Sequence, residues 1–477
     1  MNKSAVSEQR NQLLRVIPSI EELLQFSSIT ALLDQFPRPM VVEATRRTLE
    51  SLRQRIKSLD KKEMPDFSIP DKAKLFAEIE KSLRKKTMPL FCKVINAAGI
   101  VLHTALGRAM LAPAVLEAFN KHLSGYTRLA TDLSTGKRKS RDTIIEELIC
   151  EITGAEAATV VNNNAAATVL LLSTLVKGKE VICSRGQMVE IGGSFRIPEI
   201  METSGARLVS VGATNRTHLK DYEKAITKET GALLRVHNSN FRIIGFTAEV
   251  PIDELVKLGH KRRLLVIDDL GSGALVDLQS YGLGDEPLVA TSVKAGADVI
   301  CFSADKLIGG PQGGIIIGKK KYIELIRKNP LMRALRVGKL SLVALEATLK
   351  LFRDKDTLLK THPTLRMLTA DVKTIGGRAT VLMNDLRESV PSLGIKVLDE
   401  YSQPGSGSLA GYNIPTKVLA IKANTISSKE LAERLRLREV PIFTRLKDDH
   451  VLFDMRTVQS GEEPEIVQAL QVIMEAK

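Results

Sequence analysis

Two stretches of this chain carry residue types at spacings that suit covalent chemistry on a carbonyl group: VIDDLGSG (266–273) and DVICFSADKLIGGPQGGIIIG (298–318). A carboxylate closes one apolar, β-branched run. One helical pattern later, Lys306 follows a second such run and opens a glycine-rich turn. Pyridoxal phosphate (PLP) chemistry needs this pair. The lysine amine forms a Schiff base and later shuttles protons, while the carboxylate keeps the pyridine nitrogen protonated so that the ring serves as an electron sink. Adjacent residues of a strand point to opposite faces, so only one of Asp268 and Asp269 can reach such a ring. The bland reading of Lys306, a solvated loop lysine, leaves the strand–Ser–Ala–Asp–Lys–glycine order unexplained.

A phosphorylated cofactor also needs an anion site. AATVVNNNAAATVLLLSTL (157–175) reads as strand, polar turn and helix. The backbone amides around Asn163, Asn164 and Ala165 would open that helix and face a phosphate, assisted by the helix dipole. Asparagines at a helix start are also ordinary caps. Ser303, just before the lysine turn, is a further donor candidate.

These groups must be positioned by strands. ATVVNN, EVICSR, ARLVSVG, ALLRVH, LLVIDDL, DVICFSA and GGIIIG alternate with helical patterns from about Phe91 to Gly318. The alternation predicts an α/β domain with a mostly parallel sheet, whose ligands bind at the carboxyl ends of the strands. Before it, SIEELLQFSSITALLDQF, VVEATRRTLESLRQRIKSL and KAKLFAEIEKSLRKK place apolar residues at three- and four-residue spacing with basic residues between. They predict a basic helical module, with a linker around Pro65 and Pro70. After it comes one long helical segment, LMRALRVGKLSLVALEATLKLF (331–352). Then follow helices and the strand candidates KVLAIKA, VPIFTRL and HVLFDMRTV. The expected domains are residues 1–85, 86–360 and 361–477, the last a C-terminal α+β domain.

A chain of 477 residues exceeds one ordinary domain. Its formal charge of +14 favours polyanionic partners, nucleic acid among them, and equally suits small anionic substrates. The 4 cysteines are scattered without metal-ligand spacing. No apolar run reaches the roughly 18 residues of a membrane span, and the polar start MNKSAVSEQRNQLL lacks a secretory core. A cytoplasmic enzyme without membrane or metal partners is expected.

The stretches VINAAGIVLHTALGRA, VVNNNAAA, SRGQMVEIGGSFRIPE, VGATNRTHLKDYEKAI, HNSNFRIIGFT, DLGSGALVDLQSYGL, FSADKLIGGPQGGIIIGKK, RALRVGKLSLVALEATL and GSGSL occur in an order that resembles the bacterial selenocysteine synthases, PLP enzymes of fold type I. The helical module and VLFDMRTV are similar too, so the resemblance spans almost the whole chain. It implies that Lys306 is the Schiff-base lysine and that Asp269 faces the ring nitrogen. It also implies that Arg108, Arg333 and Arg336 bind the phosphate of selenophosphate. Independently, Arg333 and Arg336 lie three apart on a predicted helix, hence on one face, and guanidinium forks suit phosphate oxygens.

The implied reaction converts seryl-tRNA(Sec) to selenocysteyl-tRNA(Sec). Lys306 removes the α-proton, hydroxide leaves from Cβ, and selenium from selenophosphate adds. The basic helices would hold the tRNA, and a homo-oligomer, at least a dimer and in the family a larger ring, is implied. The chain departs from the family pattern at Ala105, in YTRLATDL (including Arg128 and Ala130), at Lys139 and after GSGSL, where a proline is missing. These departures leave open a related PLP lyase acting on a small amino acid or amino-sugar phosphate; a separate alternative is a basic RNA-binding protein on a degenerate PLP scaffold.

Overall fold

The computed structural model describes residues 3–60, 67–87, 90–192, 195–405 and 407–475. Pro65 of the expected linker lies outside the described residues; Pro70 lies just ahead of a helix. The chain divides into two compact units, Met1–Cys92 and Lys93–Lys477.

The first unit consists of the helices Lys3–Val16, Ile20–Leu24, Ser27–Gln35, Arg38–Ser58 and Lys72–Thr87. The periodic apolar residues meet in one core containing Leu23, Ile29, Leu49, Ile56, Ile79 and Leu83. Local signals set the ends. Ser19 and Glu22 form a reciprocal capping box, and Pro39 occupies the first turn of the long helix, where its missing N–H is not needed. Arg46, Arg47, Arg53, Arg55 and Lys57 on the long helix, and Lys81, Arg84, Lys85 and Lys86 on the last, are exposed. Glu43 and Glu80 neutralise only part of this basic surface.

The second unit is organised by a seven-stranded sheet in the order Ala157–Val161, Gly314–Gly318, Val299–Ser303, Leu265–Gly271, Thr230–Val236, Glu180–Ser184, Arg207–Val211. All seven apolar runs read from the sequence are strands. Only Gly314–Gly318 is antiparallel to its neighbours; the remaining pairs are parallel. Burial on both faces explains the largely apolar composition of the central strands, without polar alternation.

A second, five-stranded sheet follows the order Arg445–Lys447, His450–Asp454, Ile414–Ala423, Leu393–Gly405, Ile100–Leu102. Here structure and sequence reading part in three places. Leu393–Gly405, the longest strand, was not foreseen. The short strands Ile95–Asn96 and Ile100–Leu102, assigned by sequence to the central domain, pair with Ile442–Phe443 and with Leu393–Gly405 respectively. The single long helix expected over 331–352 is two helices, Leu331–Ala334 and Lys339–Leu351. The break has a cause: Arg336 bridges Val161 at the sheet edge, and the Leu335 carbonyl accepts from the Asn162 amide.

Among the described residues no single helix is long and apolar enough to cross a membrane, and no His/Cys/Asp/Glu cluster could hold a metal.

Candidate active site

The strand Leu265–Gly271 carries Asp268 and Asp269 to opposite faces. Asp268 is fully buried and accepts both arms of Arg235, at 2.7 and 2.9 Å. Asp269 turns the other way, accepting from the Asn164 amide at 2.8 Å and the Thr168 hydroxyl at 3.1 Å. Its carboxyl lines a cavity of about 230 Å³ shared with Lys306, Ser303, Ser239, His237 and Arg108. Burial pushes the Asp269 carboxyl above its ordinary value, against the pull of those two hydrogen bonds and of Lys306. Such a buried carboxyl gains most from a cationic partner.

Lys306 is almost wholly buried. Burial holds its amine below the ordinary lysine value, and the neighbouring Arg108 charge acts in the same direction. Its turn is rigid. Ala304 exchanges backbone hydrogen bonds with Gly310 and Gly313, and the carbonyl of Ile308 receives Nε2–H of the buried His362 at 2.7 Å. The other nitrogen of His362 accepts from the Leu365 amide and starts the helix Pro363–Thr369. Burial keeps that imidazole neutral, as one donor and one acceptor require. From above, the turn at Gly407 (φ 87°) approaches the lysine side chain so closely that a Cβ there would displace it.

Asn163 caps the helix Asn164–Leu175, its side chain accepting from the Ala166 amide at 2.9 Å. Asn163, Asn164 and Ala165 all line the lysine cavity, so the helix start opens toward it. The Asn164 side chain is turned to Asp269, which leaves backbone amides to meet an anion. Gly314 allows the neighbouring strand to approach the Asn163 carbonyl, where a Cβ would collide. Arg108 adopts a left-handed backbone (φ 61°) that costs energy in an L-residue. It donates to Asp305 at 2.7 Å beside the lysine.

Arg333 and Arg336 lie elsewhere within this chain. They line a second cavity of about 530 Å³ together with Arg138, Arg141 and Lys139. Burial, with added repulsion from Arg336, Arg333 and Arg138, lowers the Arg141 guanidinium below its ordinary value. Two of the departures from the family pattern, Ala130 and Lys139, line this arginine cavity, and exposed Ala105 stands in the turn leading to Arg108.

Sequence reasoning did not single out His237, Ser239, Glu286, Thr168 or His362. His237 and Ser239 follow the strand Thr230–Val236 much as Asp269 and Gly271 close theirs, and that position was the available signal. The polar atoms Asn164 Oδ1, His237 Nδ1 and Ser239 Oγ are buried around the cavity without hydrogen-bond partners. A polar, phosphorylated ring compound fits a pocket that offers a reactive lysine, a buried carboxyl, a helix start and unused polar atoms.

The chain is a PLP-dependent enzyme of fold type I. The same architecture recurs in a solved D-glucosaminate-6-phosphate ammonia-lyase, with a TM-score of 0.55 and 23% identity over 81% of this chain and 96% of that one. The family profile described as L-seryl-tRNA selenium transferase matches residues 94–459, and that of the selenocysteine synthase N-terminal region matches residues 14–53. The L-seryl-tRNA(Sec) selenium transferase of Alkaliphilus metalliredigens (strain QYMF) is 46% identical over 464 residues, 97% of this chain and 99% of that one. That of Geobacter sulfurreducens is 44% identical over 458 residues, 95% and 98% of the two chains. The chain belongs to the L-seryl-tRNA selenium transferase family.

Proposed function

We infer that this chain converts seryl-tRNA(Sec) to selenocysteyl-tRNA(Sec) with PLP as cofactor. The observation that carries the reading is similarity of about 46% identity running through both the helical unit and the lysine site. Bound in the lysine cavity, PLP supplies a carbonyl for the Schiff base and a protonated pyridine ring that draws electrons from the substrate Cα.

The chain's own groups then divide the work. Lys306 anchors the cofactor and, once free, accepts the Cα proton; its burial-lowered amine suits a base. Asp269 would hold the pyridine nitrogen in its protonated form. The helix start at Asn163, Asn164 and Ala165, with Ser303, takes the phosphate. Arg108, Arg333 and Arg336 hold the phosphate of selenophosphate, because the substrate carboxyl is esterified to tRNA and needs no arginine clamp. One chain holds these arginines in two cavities, so this role calls for a second copy to bring them together, in keeping with a homo-oligomer. Exposed Tyr126 and Leu133, in the loop leading to Arg138, supply apolar surface for such an association.

Residues 1–85 form the tRNA-binding module, 86–360 the catalytic domain and 361–477 the C-terminal domain of a cytoplasmic enzyme. The exposed lysines and arginines of the helical unit favour a polyanion. A turnover assay with seryl-tRNA(Sec) and selenophosphate, run beside free serine, tests the function. Product on tRNA alone is expected; turnover of free serine with tRNA ignored would replace this reading by a small-substrate lyase.

A further inference from the structure

Loss of the serine hydroxyl needs a proton for the departing oxygen, because hydroxide is a poor leaving group. The ionisable groups among the described residues lining the lysine cavity are Arg108, His237, Asp269, Asp305 and Lys306. Arg108 and Asp305 are paired with each other. Asp269 is engaged by Asn164 and Thr168, and Lys306 receives the Cα proton. His237 is left.

Its position is fixed from behind. The backbone amide of His237 donates to the Asp269 carbonyl at 2.9 Å, which ties it to the neighbouring strand end. Nδ1 lies 3.7 Å from Oε1 of Glu286, whose side chain is 1% exposed, whereas the His237 side chain is 23% exposed. Both facing atoms lack hydrogen-bond partners. Oε2 of Glu286 accepts from the Leu409 amide at 2.7 Å, beside the turn that covers Lys306. A proton on Nδ1 makes an opposed donor and acceptor of the two unpartnered atoms. That arrangement fixes the ring orientation and leaves Nε2 as the exchanging nitrogen.

We propose that His237, positioned by Glu286, is the general acid that protonates the leaving serine hydroxyl. The proposal rests on the seryl-tRNA reading above. The Cα–H electron pair becomes the second Cα–Cβ bond as Lys306 takes the proton. The Cβ–O bond breaks with its pair on oxygen, and the proton on His237 Nε2 completes a water molecule. The neutral imidazole regains a proton from solvent through its exposed edge.

The test uses the full-length holoenzyme and two substrates, seryl-tRNA(Sec) and the same tRNA carrying β-chloroalanine, whose chloride departs without a proton. His237→Gln should bind seryl-tRNA with unchanged affinity and lose about 10²- to 10⁴-fold in elimination from it, the usual worth of a general acid. It should process the chloro substrate within about tenfold of the parent enzyme. Glu286→Gln, which keeps an acceptor for Leu409, should show the same selectivity more weakly. Equal losses on both substrates would reduce His237 to a packing residue, and undiminished elimination from seryl-tRNA would remove it from the reaction; either overturns the proposal. A parent enzyme inert toward seryl-tRNA would instead overturn the functional reading on which it rests.

Discussion

Gly407→Ala separates the cost of folding from the cost of misplacing the lysine. Gly407 sits at φ 87°, and a Cβ built there lies 2.7 Å from Cε of Lys306 and 3.2 Å from Cδ, closer still to Nζ. Carbon atoms settle about 3.5–4.0 Å apart, so the lysine must retreat by about 1 Å. The left-handed backbone costs an alanine about 1–2 kcal/mol. The clash adds little to folding, because the end of a long side chain gives way. For chemistry the displacement matters more: about 1 Å of misplacement can cost on the order of 10²-fold. Gly154→Ala is the matched control, with φ 77°, a helix-terminating position and nothing within 4 Å of its Cβ. Thermal melts should show similar, small losses for both variants. Turnover of seryl-tRNA(Sec) should fall by about two orders of magnitude for Gly407→Ala and stay near the parent level for Gly154→Ala. Equal turnover in the two variants would refute the claim that Gly407 sets the position of Lys306.

The two neighbouring aspartates should fail differently. Asp269→Asn should fold normally and lose turnover by orders of magnitude, whereas Asp268→Asn should lower stability by about 1–3 kcal/mol by weakening the charged pair with part-buried Arg235; denaturant melts beside turnover separate the two. A chain beginning at Lys93, the boundary of the second unit, should keep its cofactor absorbance and lose tRNA affinity. The intact chain's tRNA affinity should fall steeply with salt in filter-binding titrations. Arg336→Ala should still bind seryl-tRNA and release its hydroxyl, but use selenophosphate about ten- to a hundredfold less well, the worth of one charged hydrogen bond. Added donor should partly restore it in a selenium-incorporation assay.

What the sequence made legible follows from burial. Six of the seven strands of the main sheet are largely buried on both faces, so their apolar composition marks them; the edge strand Arg207–Val211 is partly exposed and still reads as a strand. Leu393–Gly405 is exposed at alternate positions and carries Lys396, Asp399 and Glu400. Its strand character depends on pairing with Ile414–Ala423, which no local pattern announces. Lys306 and Asp269 were legible because each closes or follows an apolar strand beside glycines, and strand alternation left the choice between Asp268 and Asp269 to be made by their partners. His237 and Glu286 were not, because they are distant in sequence and meet only when the loop before Val289–Ala295 folds back on the strand end. The helix expected over 331–352 failed for a similar reason: its apolar spacing is helical throughout, and only the sheet edge at Val161 claims residues 335–336 for another use.

The central claim is that Lys306 carries the cofactor, and chemical trapping tests it most directly. Borohydride reduction of the holoenzyme, followed by proteolysis and mass spectrometry, should place a single pyridoxyl group on the peptide containing Lys306. Pyridoxyl on any other lysine, or none on a chain that turns over seryl-tRNA(Sec), would contradict the account.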